Sequence, residues 1–345
     1  MTASGFDAVV GTAPDAPAVD GVPLYRTVQA AIDAAPQVAQ HEWRILICAG
    51  VYFEKVVVTR PRISLIGAGR DATVLRFDAS SGTPSPDGER WTTWGCATLI
   101  VRAPDFHAAH LTIENGYDYP ANLAQELAGN ACNPHPQAVA FMTDRGADRT
   151  RLDDVRLIGY QDTLFINAGR AYFRHVTVSG HIDFIFGAGV GVFEACDIIC
   201  RTRDDQTPTG WIVAPSTPRE QEYGMVFREC RLLREPEVPD NSCPLGRPWH
   251  PTTDFPDGRY ADPDAIGAAV FVDCWMDAHI AREGWHAMHG TARDGGRIYF
   301  EPDDARFFEY RSIGPGAQTH ARRRQLDPAT AARFDTPAVL NDWRL

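Results

Sequence analysis

The stretch Leu152-Asp-Asp-Val155-Arg-Leu-Ile-Gly159-Tyr-Gln161-Asp162-Thr-Leu-Phe165 nearly repeats as Phe173-Arg-His-Val176-Thr-Val-Ser-Gly180-His-Ile182-Asp183-Phe-Ile-Phe186. Leu152 matches Phe173, Val155 matches Val176, Gly159 matches Gly180 and Asp162 matches Asp183, always 21 residues apart. A repeat near 20 residues marks a solenoid whose coils each carry several short strands. One coil cannot bury its own apolar face, but stacked coils can, with equivalent side chains forming ladders.

The same pattern, an aromatic or Leu, two variable residues and then a smaller apolar residue, extends outward in both directions. It stands at Phe106–Ala109, Leu152–Val155, Phe173–Val176, Phe193–Cys196, Phe227–Cys230 and Phe271–Cys274. Neighbouring copies start 46, 21, 20, 34 and 44 residues apart, a basic coil lengthened by insertions at 115–136, 201–210 and 235–264. Loops projecting from a rigid solenoid are the usual walls of a binding cleft. Short apolar runs at 44–48, 55–58, 64–66, 74–77, 97–101 and 110–113 read as buried strands. The expected fold is therefore all-β, a right-handed parallel β-helix with long loops forming a cleft.

Short helices are expected at both ends. Val28, Ala31, Ile32 and Ala35 have helical spacing, with Thr27 as N-cap and Pro36 as the stop. Pro328–Phe334 follows Asp327 in the same manner. Residues 1–24 read as an extended lead-in, and 25–345 as a single β-helix domain. Cys196, Cys230 and Cys274 share the slot of Val155 and Val176, so they read as small buried hydrophobes in a ladder, the alternative being a disulfide between Cys196 and Cys230 on adjacent coils.

Composition narrows the function. With 45 acidic against 33 basic residues the net charge is −12, unsuited to neutralising phosphates, so nucleic acid is excluded as a partner. No apolar run reaches membrane-spanning length, and no signal peptide is visible at the N-terminus. The eight cysteines form no CxxC pair, histidines do not cluster, and no acidic group suits calcium, so neither metal nor cofactor is expected. Lys55 is the sole lysine, which nucleotide composition of the source explains without any special use of arginine.

If one coil separates Asp162 from Asp183, the expected spacing is that of neighbouring strands, about 4.8 Å. Two carboxylates so close cannot easily both ionise, leaving one protonated acid beside one anion. That is the equipment for acid catalysis and nucleophilic attack. The plainer alternative is that each Asp follows a turn glycine and bonds local backbone. No G-x-S-x-G is present, so a serine elbow is unsupported.

Five motifs, two of them within the opening repeat, carry a family resemblance: Gly50-Val-Tyr52-Phe-Glu54, Gln137-Ala-Val139, Gly159-Tyr-Gln161-Asp162-Thr-Leu164, Asp183-Phe-Ile-Phe-Gly187 and Leu245-Gly-Arg247-Pro-Trp249. In their order and spacing the chain, from about Tyr25 to Trp343, resembles the pectin methylesterases (pectinesterases), closer to bacterial than plant members. The resemblance implies an enzyme that removes methyl esters from C6 of galacturonate in pectin, releasing methanol. It implies Asp183 as nucleophile and Asp162 as general acid and then base. Gln137 and Gln161 become oxyanion donors, and Arg247 the residue that orients Asp183. It implies Trp249 as sugar platform, with Thr93, Ile182, Phe186, Thr252 and Met288 lining the groove. Trp91, Trp94 and Trp285 fit either cleft or packing. A monomeric, secreted protein acting on methylesterified homogalacturonan, with no membrane partner, is the matching expectation.

Two positions depart from the family pattern. Phe165 stands where Tyr is usual, removing a hydroxyl near the acid. Val176 stands where some bacterial members place a cysteine bridged to the next coil, leaving Cys196 without that partner. The alternatives are a β-helix enzyme of pectate lyase or polygalacturonase type, and a non-catalytic carbohydrate-binding solenoid.

Overall fold

The computed structural model describes residues 5–11, 21–38, 40–203 and 206–345. Contacts divide the chain into two compact units, Met1–Val178 and Ser179–Leu345.

In the first unit parallel strands stack coil upon coil. One ladder runs through Ile45, Leu65, Ala108, Leu152 and Phe173, each paired with the next. A second passes through Tyr52, Leu75, Ile113 and Leu157. A third, on a separate sheet, joins Val56, Leu99, Phe141 and Leu164. All these side chains are buried. They form the continuous core that a parallel β-helix requires, right-handed as parallel crossovers are.

The repeat frame differs from the sequence reading at one coil. Leu152 pairs with Ala108, not with Phe106, so the copy read as Phe106–Ala109 is displaced by two residues. The third residue of each true copy sets the frame, because it adopts a left-handed bend. His110 (φ 57°), Asp154 (52°) and His175 (54°) do so here; Ala195 (51°), Glu229 (53°), Asp273 (54°) and Arg311 (50°) do so in the second unit. Such bends strain a non-glycine residue, and corner partners help hold them. His110 bonds Asp154 at 2.8 Å, and Arg311 forks onto Asp273 at 2.7 and 2.9 Å. Arginine thus has a structural use at the coil corners, though exposed pairs of this kind stabilise little individually.

Part of the stretch read as a lead-in belongs to the stack. Ala8–Val10 is a buried strand paired in parallel with Trp43–Ile47, while residues 12–20 lie outside the described set. The first helix is Val28–Asp33, with Thr27 Oγ1 accepting from the Ala30 amide at 3.2 Å. The insertion at 115–136 is not a bare loop: Tyr119–Leu127 is helical, capped by Asp118.

In the second unit Phe193, Phe227 and Phe271 pair in register, and their rings stack at 4.4 and 4.5 Å. The ladder ends on Glu309, which pairs with Phe271 and is buried against Arg323. Arg323 donates to both carboxylate oxygens, at 2.8 and 2.6 Å. Cys196, Cys230 and Cys274 are buried free thiols. Cys230 donates to the Phe193 carbonyl and Cys274 to that of Phe227, as ladder positions should. The tail forms the helix Pro328–Ala331 and a 3-10 turn Ala332–Phe334, with Asp327 accepting from Ala329 and Thr330. It packs on the coils through Thr336, which donates to Glu194 at 3.0 Å. No helix among the described residues is long and apolar enough to cross a membrane.

Candidate active site

In the first unit, Asp162 is 8% exposed and left-handed, with φ 65°, immediately ahead of the strand Leu164–Ile166. Gly159 makes room for this turn, since a Cβ there would lie 2.7 Å from Thr163 Oγ1. The Ala138 amide donates to the Gln161 carbonyl, which places Gln137 and Gln161 on adjacent coils. Gln137 Oε1 is buried without a protein partner among the described residues. A buried orphan acceptor is unusual in a structural amide and points to a site that a ligand completes.

Cys96, which sequence reasoning passed over, ties this cluster together. Its thiol lies 3.6 Å from the Thr93 carbonyl and 3.6 Å from that of Gln137. Burial pushes the thiol up to about 11, and the Asp162 charge adds to that rise. Thr93, Gln137, Gln161 and Asp162 are thus brought into one neighbourhood. Trp94 is 45% exposed and meets Phe165 edge-on at 5.6 Å, so the phenyl ring supports an open indole. Trp91 faces Lys55 at 5.2 Å. Burial lowers the Lys55 ammonium to about 8.

In the second unit, Asp183 repeats the local arrangement. It is 8% exposed, has φ 49°, and precedes the strand Ile185–Gly187. The difference lies in its partner. Arg247 Nε donates to Oδ1 at 2.8 Å and Nη2 to Oδ2 at 2.6 Å. The guanidinium also lies 3.7 Å from the centre of the Trp211 ring. A bidentate fork stacked on an indole fixes the orientation of the carboxylate. Gly246 lets this loop press against the solenoid, because a Cβ would meet Val213 at 2.4 Å; Arg247 N then bonds the Val213 carbonyl at 3.0 Å.

A groove of about 580 Å³ in the second unit is lined by Trp249, His250, Thr252, Met288, Thr291 and Arg297. Three predicted groove residues therefore converge. Phe186 braces Trp249 edge-on at 5.6 Å, and half-buried Ile182 adjoins Asp183. His250 is held away from chemistry: it stacks on Phe300 at 3.5 Å and bonds the Asp262 carbonyl at 2.6 Å. Trp285 is packing, buried between Phe271 and Phe307. Trp211 was missed because it directly follows the insertion read at 201–210, although it precedes Val213 by two residues as Asp183 precedes Ile185, the strand partner of Val213. Among the described residues no group of three or more His, Cys, Asp or Glu could hold a metal ion.

The pectinesterase family model matches residues 16–327. The chain is 43% identical to pectinesterase A of Dickeya dadantii, over 92% of this chain and 87% of that protein. It is 30% identical to pectinesterase 31 of Arabidopsis thaliana, over 88% and 83% of the respective chains. Among solved structures it is similar to the pectin methylesterase of Erwinia chrysanthemi, at TM-score 0.93 and 42% identity over 99% of both chains. A pectin methylesterase in complex with a hexasaccharide matches equally well, at TM-score 0.93 and 42% identity over 99% of both.

Proposed function

The chain belongs to the pectinesterase family, and from that premise we propose that Asp183 and Asp162 hydrolyse the methyl ester of galacturonate by a double displacement. The enzyme is a carboxylic-ester hydrolase acting on pectin; the assignment of roles to its residues is the proposal.

An Asp183 oxygen attacks the C6 carbonyl carbon, and the carbonyl electron pair moves to oxygen. Gln137 and Gln161 amides donate to that oxyanion, the type of contact whose loss costs about 100- to 1000-fold in rate. Collapse breaks the bond to the methoxy oxygen, which takes a proton from Asp162 and leaves as methanol. Asp162, now anionic, removes a proton from water. The hydroxide formed attacks the acyl-enzyme anhydride and frees Asp183. Arg247 holds the Asp183 carboxylate in place for the first step, while Asp162 supplies the proton.

The observation that carries this division is the bidentate Arg247–Asp183 pair. Trp249, Thr252 and Met288, with Phe186 behind the indole, would receive sugar rings, and Thr93 and Ile182 would flank the scissile unit. The polymer is a plant cell-wall component, so the enzyme works outside the cell, as a monomer. The test is incubation with highly methylesterified pectin and EDTA. Methanol and acid should appear without new reducing ends or unsaturated ends. Reducing ends would indicate a polygalacturonase, unsaturated ends a lyase, and binding without methanol a non-catalytic solenoid.

A further inference from the structure

The second unit holds two thiols whose surroundings differ from those of the ladder cysteines. Cys200 ends the strand Asp197–Cys200, and Cys243 lies in the loop that leads, four residues later, to Arg247. Their sulfurs are 2.9 Å apart, and both residues are fully buried. Ladder thiols Cys230 and Cys274 also neighbour one another, but each donates to backbone carbonyls at 3.3–3.6 Å. Cys200 and Cys243 have chiefly each other. Two sulfurs at this separation are inside ordinary non-bonded contact and need only a small approach to reach bonding geometry.

We propose that Cys200 and Cys243 form a disulfide that anchors the Arg247 loop to the solenoid. Formation removes two protons and two electrons from the thiols, and the acceptor is the disulfide of a thiol oxidoreductase, which is reduced to a dithiol as the new bond forms. The pair suits formation during folding. Burial holds the Cys200 thiol well above the usual range, so once folded the site disfavours the thiolate that exchange requires. The bond closes a span of 43 residues, a length at which cross-linking restricts the unfolded chain substantially.

The anchoring has a local consequence. The Cys243 amide donates to the His279 carbonyl, Leu245 to Gly284 and Arg247 to Val213, so the loop already follows the coils by hydrogen bonds. A covalent tie at Cys243 fixes the start of that run. Cys243 is therefore a positioning residue for Arg247, a claim that rests on the proposed role of the Arg247–Asp183 pair. The bond itself does not, since peptide mapping reads it whether or not the esterase reading holds.

The test uses the full chain produced in an oxidising compartment, alkylated while denatured and mapped without reductant. A linked pair of peptides containing Cys200 and Cys243 is expected, with six of the eight cysteines alkylated. Alkylation of both residues as free thiols would overturn the proposal. Refolding in reductant should lower Tm by about 5 °C, and a Cys200→Ala/Cys243→Ala variant should show no dependence on reductant. Equal reductant dependence in that variant would also overturn it. The reduced enzyme should show a lower kcat with KM little changed; an unchanged kcat would overturn the positioning role.

Discussion

Arg247 grips Asp183 through two parallel hydrogen bonds of 2.8 and 2.6 Å while its other face rests on Trp211 at 3.7 Å. The fork occupies both carboxylate oxygens, so it fixes the plane of the group. Asp162 has the same left-handed backbone and the same 8% exposure. Equivalent positions in the repeat thus acquire different chemistry from their neighbours.

Arg247→Lys should keep a positive charge but lose the fork, because an ammonium cannot donate in a rigid parallel pair. Methanol release should fall roughly 10- to 100-fold through kcat, with KM little changed, because the carboxylate loses its fixed orientation. A kcat equal to the parent's would argue against the pairing.

Trp211→Leu should remove the platform while leaving the fork's partners in place. A desolvated cation–π contact is worth about 2 kcal/mol. The expected outcome is a fall in kcat of roughly tenfold, restored in large part by Trp211→Phe. Kinetics on both variants would check it, and equal rates in Leu and Phe variants would refute it.

His279 gives a pH-dependent stability prediction. It is fully buried, neither ring nitrogen has a protein partner among the described residues, and burial lowers it to about 4 from the ordinary 6.5. The unfolded chain therefore binds more protons between those values, and stability falls as pH drops through that window. His279→Leu should lose less stability over the same range, by on the order of 3 kcal/mol. Denaturant titrations at pH 6.5 and 4 measure this.

The Glu309–Arg323 pair closes the aromatic ladder with both side chains 1% exposed. Arg323→Met should cost about 3–5 kcal/mol, because it strands a buried carboxylate. Replacing both, as Glu309→Leu/Arg323→Met, should recover much of that loss. Thermal unfolding of the two variants distinguishes pairing from packing.

Much of this was legible in the chain. The 21-residue offset, the ladder cysteines and the Thr27 and Asp327 caps rest on local chemistry that recurs in fixed slots. The copy at Phe106 was misplaced because the aromatic cue was followed there. The left-handed bend at His110 defines the coil, and a bend leaves little mark on residue type. Phe106 is buried all the same, facing Phe141 at 6.1 Å. Cys96 and the Cys200–Cys243 contact were invisible for a different reason. Each joins segments whose separation varies with insertion length, so no period points to it. The helix Tyr119–Leu127 was hidden inside a stretch read as insertion, although Asp118 and Pro120 are ordinary start signals.

The central claim is that Asp183 is the nucleophile, and methanol release by Asp183→Ala on highly methylesterified pectin tests it most directly. With circular dichroism unchanged from the parent, the account predicts no methanol above background. Methanol released at the parent rate would contradict it.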